Sequence, residues 1–261
     1  MYIYGIGPKQ TKLNRLRMKS IVLLSVFLVS AVSYGQIDLE SQIPKDKTYD
    51  KSIIDDTYGI QLYESLNMAL EGDSVRMENG YAVNNWKEDF YDDGTLMHRG
   101  YYIDGQLKVY KNFYPNGQIE REFKNIDGFR SLQKKFYADG ILKSEVKYMG
   151  GSALLWIDYY SNGNMEFYEE FHKSFLYHNA KRSYYKSGQE ETVLERVKKL
   201  NFTQNDFYLD GKNKKKGTLT YDLNAYDYYK TGKWIYYNET TGEPAKEETY
   251  SNGKVAKTKD L

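Results

Sequence analysis

The stretch FYPNGQIEREF, residues 113–123, has the pattern of a β-hairpin. Two aromatic residues precede the turn, and the side chains after it alternate between two faces. Pro115 fits the first central position of a type I turn, where φ is about −65°, and Asn116 is tolerated at the second. Gly117 then supplies the left-handed residue of a G1 bulge. The stretch therefore predicts two antiparallel strands joined by a tight turn.

Copies of this stretch recur as FYDDG, FYADG, YYSNG, YYKSG, FYLDG, YYKTG and TYSNG. The predicted turn glycines lie 21 to 25 residues apart and are Gly94, Gly117, Gly140, Gly163, Gly188, Gly211, Gly232 and Gly253. A tyrosine stands three residues before each of them, and these repeat aromatics are Tyr91, Tyr114, Tyr137, Tyr160, Tyr185, Tyr208, Tyr229 and Tyr250. Self-similarity at such a period is the signature of a repeat architecture.

A second set of turns lies halfway between the first, at Gly105, Gly128 and Gly151. Each gap holds a strand of about six or seven residues, close to common strand lengths. The sequence therefore predicts an all-β fold, an elongated antiparallel β-meander of repeated hairpins over residues 75–261. Residues 190–200 fit either a helix or a strand with a two-residue insertion, and the strand is favoured because the register resumes at Gly211.

The paired aromatic residues before each turn point to opposite faces of the sheet. One column of rings is expected to stack between successive repeats, because each repeat buries the face of its neighbour. The other column is either an exposed adhesive stripe or is covered by the stems of Lys and Glu side chains. The sequence leaves both alternatives open.

The N-terminal region has a different composition from the repeats. Residues 1–35 contain five Lys or Arg and no acidic residue, and they include the apolar run IVLLSVFLVSAV at residues 21–32. This pattern predicts a signal peptide that starts at Met1 or Met18, and the apolar run is too short to span a bilayer comfortably. We therefore expect an exported protein, placed in the periplasm, at the outer-membrane periphery or outside the cell, with no transmembrane span in the mature chain.

Between the signal peptide and the repeats, residues 36–54 are interpreted as a polar linker. Residues 55–74 predict a short N-terminal helical cap, because terminal repeats need one. The residues expected to face inward are Ile60, Tyr63, Leu66 and Leu70. The stretch VRMENGYAV, residues 75–83, predicts the first hairpin, with Asn79 and Gly80 at its turn.

Residues from about 73 to 261 resemble the bacterial variant of the MORN repeat, the family of YwqK-like antitoxin components. The resemblance is carried by FYPNGQIEREF, by FYADGILKSEVKY, and above all by KTGKWIYYNETTGEPAKEETYSNGK near the C-terminus. It implies an array of antiparallel hairpins used as an interaction surface or spacer. Most central repeats lack the GKW motif of the family.

Composition excludes several functional classes. The chain has no cysteine, which excludes disulfides, thiolate nucleophiles and zinc–cysteine sites. Without residues 1–35 it carries 32 basic and 36 acidic side chains, so a nucleic-acid partner is not expected. Its three histidines, His98, His172 and His178, are too scattered to suggest a metal site, and they are interpreted as residues of the repeat faces. No catalytic, metal-binding or cofactor-binding residue is predicted.

The leading hypothesis is therefore a non-enzymatic repeat protein that presents an aromatic-rich β surface to a protein or cell-envelope polymer. One alternative is a carbohydrate-binding module, in which Trp86, Trp156 and Trp234 stack on sugar rings. Another alternative is an antitoxin or immunity role, which the family resemblance implies. The sequence does not indicate an oligomeric state.

Overall fold

The computed structural model describes residues 48–261, and most of that chain is β-strand. The predicted signal peptide and residues 36–47 of the predicted linker lie outside the described residues. The strands are β1 (Met77–Glu78), β2 (Tyr81–Ala82), β3 (Asn85–Phe90), β4 (Leu96–Ile103), β5 (Gln106–Phe113), β6 (Ile119–Asn125), β7 (Arg130–Phe136), β8 (Leu142–Met149), β9 (Ser152–Tyr159), β10 (Met165–Phe171), β11 (His178–Tyr184), β12 (Glu190–Lys198), β13 (Asn201–Phe207), β14 (Asn213–Asp222), β15 (Asp227–Tyr237), β16 (Pro244–Ser251) and β17 (Lys254–Asp260).

Strands β3 to β17 form one 15-stranded sheet in which every strand pairs with its neighbours in sequence. All of these pairings are antiparallel, so the predicted all-β meander of hairpins is confirmed. Strand β12 occupies the region for which a helix was the alternative. Strands β1 and β2 form a separate hairpin, with Asn79 and Gly80 at positive φ as the Asn-Gly turn predicts.

The predicted hairpin turn is present at the first six repeat glycines. At Gly117, the backbone N–H donates to the carbonyl of Tyr114 at 2.8 Å, and φ is +81°. That conformation strains any residue with a β-carbon. The side-chain oxygen of Asn116 accepts a hydrogen bond from the backbone N–H of Gln118 at 3.0 Å. Asp93, Asp139, Asn162 and Asp210 make the same contact in other repeats, which explains the Asn or Asp before most of these glycines.

The last two predicted turn glycines do not occupy equivalent turns. Gly232 lies inside β15, next to a register shift between β14 and β15. The hairpin turn that follows β15 is formed by residues 238–243. Gly253 forms a two-residue turn with Asn252 at the opposite edge of the sheet. Gly253 is thus a turn glycine as predicted, but the prediction for Gly232 was wrong, because a bulge inside a strand and a hairpin turn both require a left-handed glycine.

The hydroxyls of the tyrosine column link successive repeats at the ends of the strands, beside the hairpin turns. We call this row of hydrogen bonds the edge ladder. The Tyr114 hydroxyl donates to the carbonyl of Phe136 at 2.8 Å, one repeat further along the chain. The other donors in this edge ladder are Tyr91, Tyr137, Tyr160, Tyr185 and Tyr208. A phenylalanine could not make this bond, so the ladder explains why the position is tyrosine rather than any aromatic residue.

One face of the sheet, here called the front face, carries Asp89, His98, Tyr110 and Phe123, and the other is called the back face. Residues 49–74, here called the covering segment, pack on the front face at its N-terminal end. In place of the predicted short helix, this segment contains 3-10 turns of three residues each, Lys51–Ile53, Glu64–Leu66 and Met68–Leu70. Part of the predicted linker also joins the fold, because Tyr49 is buried and pairs with Tyr91.

The apolar interior of the described chain is concentrated in two clusters on the front face. The N-terminal cluster lies beneath the covering segment, whose Ile60, Tyr63 and Leu66 are fully buried. The C-terminal cluster contains Leu194, Phe202, Leu219, Tyr221 and Trp234. Among residues 48–261, no helix has the length and apolarity needed to cross a bilayer.

Candidate binding surface

A buried polar network fixes the covering segment to the front face. Arg76 donates to both carboxylate oxygens of Asp89 at 2.7 and 2.9 Å, and the Tyr63 hydroxyl donates to Asp89 at 2.8 Å. Burial raises the pKa of Asp89, but the hydrogen bonds and charge of Arg76 outweigh burial and hold that pKa below its usual value. The carboxylate is therefore ionised, paired and enclosed.

His98 belongs to the same network. Its ring stacks on Tyr63 with centroids 3.5 Å apart, and its two nitrogens contact Asn112 Oδ1 at 2.7 Å and the Tyr102 hydroxyl at 2.9 Å. Complete burial lowers the pKa of His98 to about 4. A neutral, fully enclosed imidazole with two hydrogen-bond partners positions the covering segment rather than meeting a ligand.

Polar side chains of the sheet also contact the backbone carbonyls of the covering segment. Arg121 is fully buried, and its guanidinium contacts the Glu64 carboxylate and the Tyr58 carbonyl. Gln133 donates to Glu64 at 3.2 Å, and Asn112 donates to the Ile60 carbonyl at 3.1 Å. The front face thus holds an irregular polypeptide segment by stacking, by carbonyl contacts and by one carboxylate.

The C-terminal half of the front face has no such cover within residues 48–261. Its buried rings are instead surrounded by half-buried aromatic side chains of the same half. Phe202 lies edge-on to Tyr228 with centroids 4.9 Å apart, and Tyr221 lies 4.8 Å from the same ring. We call this region the open front surface, and its residues are Tyr177, Tyr228, Lys230, Tyr236, Lys246, Glu248 and Tyr250.

A lysine stands at the centre of the open front surface. The Lys230 ammonium lies 4.5, 5.3 and 4.8 Å from the ring centroids of Trp234, Tyr236 and Tyr250. It donates to the hydroxyls of Tyr236 at 2.9 Å and Tyr250 at 3.2 Å. Three rings and two phenol oxygens therefore hold one cation by cation–π attraction and hydrogen bonds.

The carboxylate beside Lys230 already has hydrogen-bond partners within the chain. Glu248 accepts hydrogen bonds from Lys246 at 2.8 Å and from the Tyr250 hydroxyl at 2.7 Å. These hydrogen bonds, that of Lys246 first, lower the pKa of Glu248 to about 2. Glu248 is therefore charged at neutral pH and neutralised by Lys246.

A second polar group lies beside Tyr228. His178 Nδ1 is 3.0 Å from the Tyr228 hydroxyl, and its Nε2 is 2.7 Å from Glu169, which also pairs with Lys181 at 3.3 Å. Burial raises the pKa of Glu169, but the contacts with His178 and Lys181 outweigh it and hold the pKa below its usual value. The rim of the open front surface is thus polar and internally paired.

The three tryptophans do not form one surface. Trp86 is 51% exposed on the back face, where it borders a groove of about 340 Å³ with Arg99, Val109 and Phe113. Trp156 is 37% exposed on the front face and donates to Asp158 at 2.7 Å. Trp234 is only 1% exposed, so its predicted availability for binding was wrong. The missed signal is Gly217, because a β-carbon there would overlap the Trp234 ring.

The second aromatic column of the repeats lies on the back face from Phe90 to Phe207, whereas Tyr228, the ring before Tyr229, lies on the front face. Phe90 is 38% exposed, and the later members of the column are half-buried. On the same face, the ring of Tyr237 precedes the turn at residues 238–243, and the Lys216 ammonium lies 5.5 Å from it. This column is therefore neither fully covered nor a bare stripe.

Comparison with known proteins adds no assignment. No protein-family model matches the chain, and no curated protein is similar to it at a significant level. Within residues 48–261, no group of three or more His, Asp or Glu side chains is arranged to hold a metal ion.

Proposed function

We propose that this protein is a non-enzymatic binding array whose open front surface holds an irregular segment of another polypeptide. One observation carries the proposal: the chain's own covering segment occupies the same face at the other end of the sheet. In this proposal that segment is the template for the ligand: a stretch without α-helix that buries residues such as Ile60 and Tyr63 against the face.

The composition of the open front surface supports a protein ligand. Tyrosine gives a large rigid contact area and a hydroxyl at low entropic cost, and it is enriched at the residues that dominate protein interfaces. Tyr228, Tyr236 and Tyr250 are half-buried in the free chain, so their rings are already positioned before a partner arrives. Preorganised rings reduce the entropic cost of association.

The wider assignment follows the resemblance of the repeats. In this proposal the chain is an exported MORN-like array, and the covering segment is its N-terminal cap. The carbohydrate-binding alternative gains no support from the three tryptophans, since Trp86 and Trp156 lie on opposite faces and Trp234 is buried. The antitoxin alternative rests on the family resemblance alone.

A peptide-display selection against the folded chain tests the proposal. The library carries random peptides of about ten residues, the length of the 57–66 stretch that contacts the front face. We expect enriched peptides to bind the wild type and to lose at least about tenfold in affinity, ~1.4 kcal/mol, against a Tyr236→Ser, Tyr250→Ser double variant.

A matched control changes a tyrosine on the back face. Tyr101→Ser removes a half-buried ring that packs against Trp86 and is expected to leave peptide affinity unchanged. Circular dichroism and thermal unfolding establish that both variants remain folded. Failure to enrich any peptide, or equal loss of affinity in the Tyr101→Ser control, would overturn the proposal.

A further inference from the structure

We infer that the polypeptide bound by the open front surface carries a carboxylate that pairs with Lys230. The inference rests on the proposed function and specifies the chemistry of the partner: an irregular acidic segment, with an aromatic or branched apolar residue beside the acid. It follows from the surroundings of one cation and from the way the covering segment meets another.

Lys230 is a positioned cation without a carboxylate. Among the residues that the structure describes, no Asp or Glu oxygen lies within 4.0 Å of its ammonium, whereas Lys246 beside it is paired with Glu248. The two phenols supply only neutral oxygens. Of the nearby carboxylates, Glu248 pairs with Lys246 and Asp260 lies opposite Lys246 on β17, so Lys230 is the cation of this surface that has no carboxylate.

Covering this surface changes the energy of that charge. Lys230 is a half-buried residue, and a partner that excludes water from it removes part of the hydration of its ammonium. Burying a cation is costly unless an anion or several hydrogen-bond acceptors replace the water. A carboxylate from the partner meets this need, and the same loss of water strengthens its attraction to Lys230.

The other charged groups nearby do not offer an alternative partner. Glu248 is already shared by Lys246 and Tyr250, and Glu169 is already paired with Lys181. A basic partner segment would meet the Lys230 ammonium as a like charge. The surface therefore selects an acidic segment and disfavours a basic one.

The covering segment provides an internal precedent. It places Glu64 against Arg121, a fully buried cation of the sheet that also lies 3.4 Å from Glu120, and it adds the Tyr58 carbonyl. Tyr63, next to Glu64, inserts its ring beside His98. A ring and an adjacent carboxylate are thus the pair of groups that this face already binds once within the chain.

The test uses peptides enriched on the wild-type chain and their Glu→Gln or Asp→Asn counterparts. Wild type is expected to bind the acidic form about tenfold more tightly than the amide form. In a Lys230→Met variant, which keeps the stem but removes the charge, this preference is expected to disappear. Lys230→Arg is expected to retain it.

The matched control is Lys216→Met, because Lys216 also lies over a tyrosine ring but on the back face. It is expected to keep the full preference for the acidic peptide. If peptides bind the open front surface with no preference for the acid, or keep that preference in Lys230→Met, the inference is wrong while the proposed function stands. If no peptide is enriched, the proposed function fails and the inference fails with it.

Discussion

The N-terminal and C-terminal halves of the front face differ in how their aromatic side chains are screened from solvent. Both halves display rings from successive hairpins. In the N-terminal half the covering segment encloses those rings together with Asp89, His98 and Arg121. In the C-terminal half, within residues 48–261, the buried cluster is screened by half-buried side chains of the strands and of their connecting turns.

The difference concerns where polar groups can be placed. Beneath the covering segment, Asp89, Arg76 and His98 are buried, and each has a partner within hydrogen-bond distance. In the open half, Lys230 and the phenols lie at the boundary with solvent. One repeat pattern can therefore build a dry core or an amphipathic surface, and the deciding factor is whether another segment lies on it.

The largest expected effect is a difference in stability between variants of the covered half and of the open half. Tyr63→Ala removes the ring stacked on His98 and the hydrogen bond to Asp89, and is expected to cost about 3–5 kcal/mol of unfolding free energy. Tyr236→Ala, at a half-buried position, is expected to cost about 1–2 kcal/mol. Urea unfolding gives the totals, and hydrogen–deuterium exchange localises the weakening to β4–β6 or to β14–β16. Equal costs would contradict the distinction between the halves.

Acid should weaken the covered half. The pKa of His98 is about 4 in the folded chain and about 6.5 when unfolded, so the unfolded state binds its proton first as pH falls. The stability that depends on neutral His98 is full above about pH 6.5 and is lost toward pH 4, on the order of 3 kcal/mol. Unfolding free energies measured across this range give the loss.

A His98→Gln variant isolates that contribution. Glutamine can keep hydrogen bonds to Asn112 and Tyr102 but does not titrate. Asp89 and Glu120 remain in both proteins, so the difference between the two pH profiles belongs to His98. Asp89 has a lowered pKa and Glu120 a pKa raised by burial, so their effects have opposite signs. Identical profiles for the two proteins would disprove the assignment.

In the open half, Gly217→Ala tests how tightly the buried cluster is packed. The new methyl group would overlap Trp234, whose indole N–H donates to the Thr218 carbonyl at 3.0 Å. Overpacking of this kind is expected to cost about 1–3 kcal/mol and to shift tryptophan emission to longer wavelength. Gly117→Ala is the control, because its methyl group meets open space and only backbone strain is added. An unchanged emission spectrum in Gly217→Ala would argue against close packing.

The hydrogen bonds of the edge ladder are expected to contribute equally to stability in the two halves. Tyr114→Phe and Tyr185→Phe each remove one hydroxyl bond to the next repeat, of 2.8 and 2.9 Å. Each is expected to cost about 1 kcal/mol. Thermal unfolding of the two variants checks this, and a loss confined to one of them would show that the ladder is not uniform.

Much of the fold was predictable because its determinants are local. The repeat glycines, the tyrosines and the spacing of the turns specify a meander without knowledge of distant contacts. The exceptions depend on register: Gly232 became a bulge because β15 continues past it to Tyr237. The irregular backbone of the covering segment was not predicted, because its conformation follows the sheet that it contacts.

The candidate site was much less predictable. Lys230 meets Tyr250 only because β15 and β16 pair with Gly232 opposite Tyr250. The burial of Trp234 depends on Gly217, 17 residues earlier in the sequence. Residue spacing along the chain indicates neither which face is covered nor which ring closes over which cation, so tryptophans were favoured over the lysine and tyrosines.

The strand order also has a consequence for how such molecules can change in size. Since each strand of the large sheet is hydrogen-bonded only to the strands next to it in the chain, a duplicated or deleted hairpin leaves the remaining pairings intact. Evolution or protein engineering can therefore lengthen or shorten the sheet by one hairpin at a time, while the end that carries the covering segment stays the same.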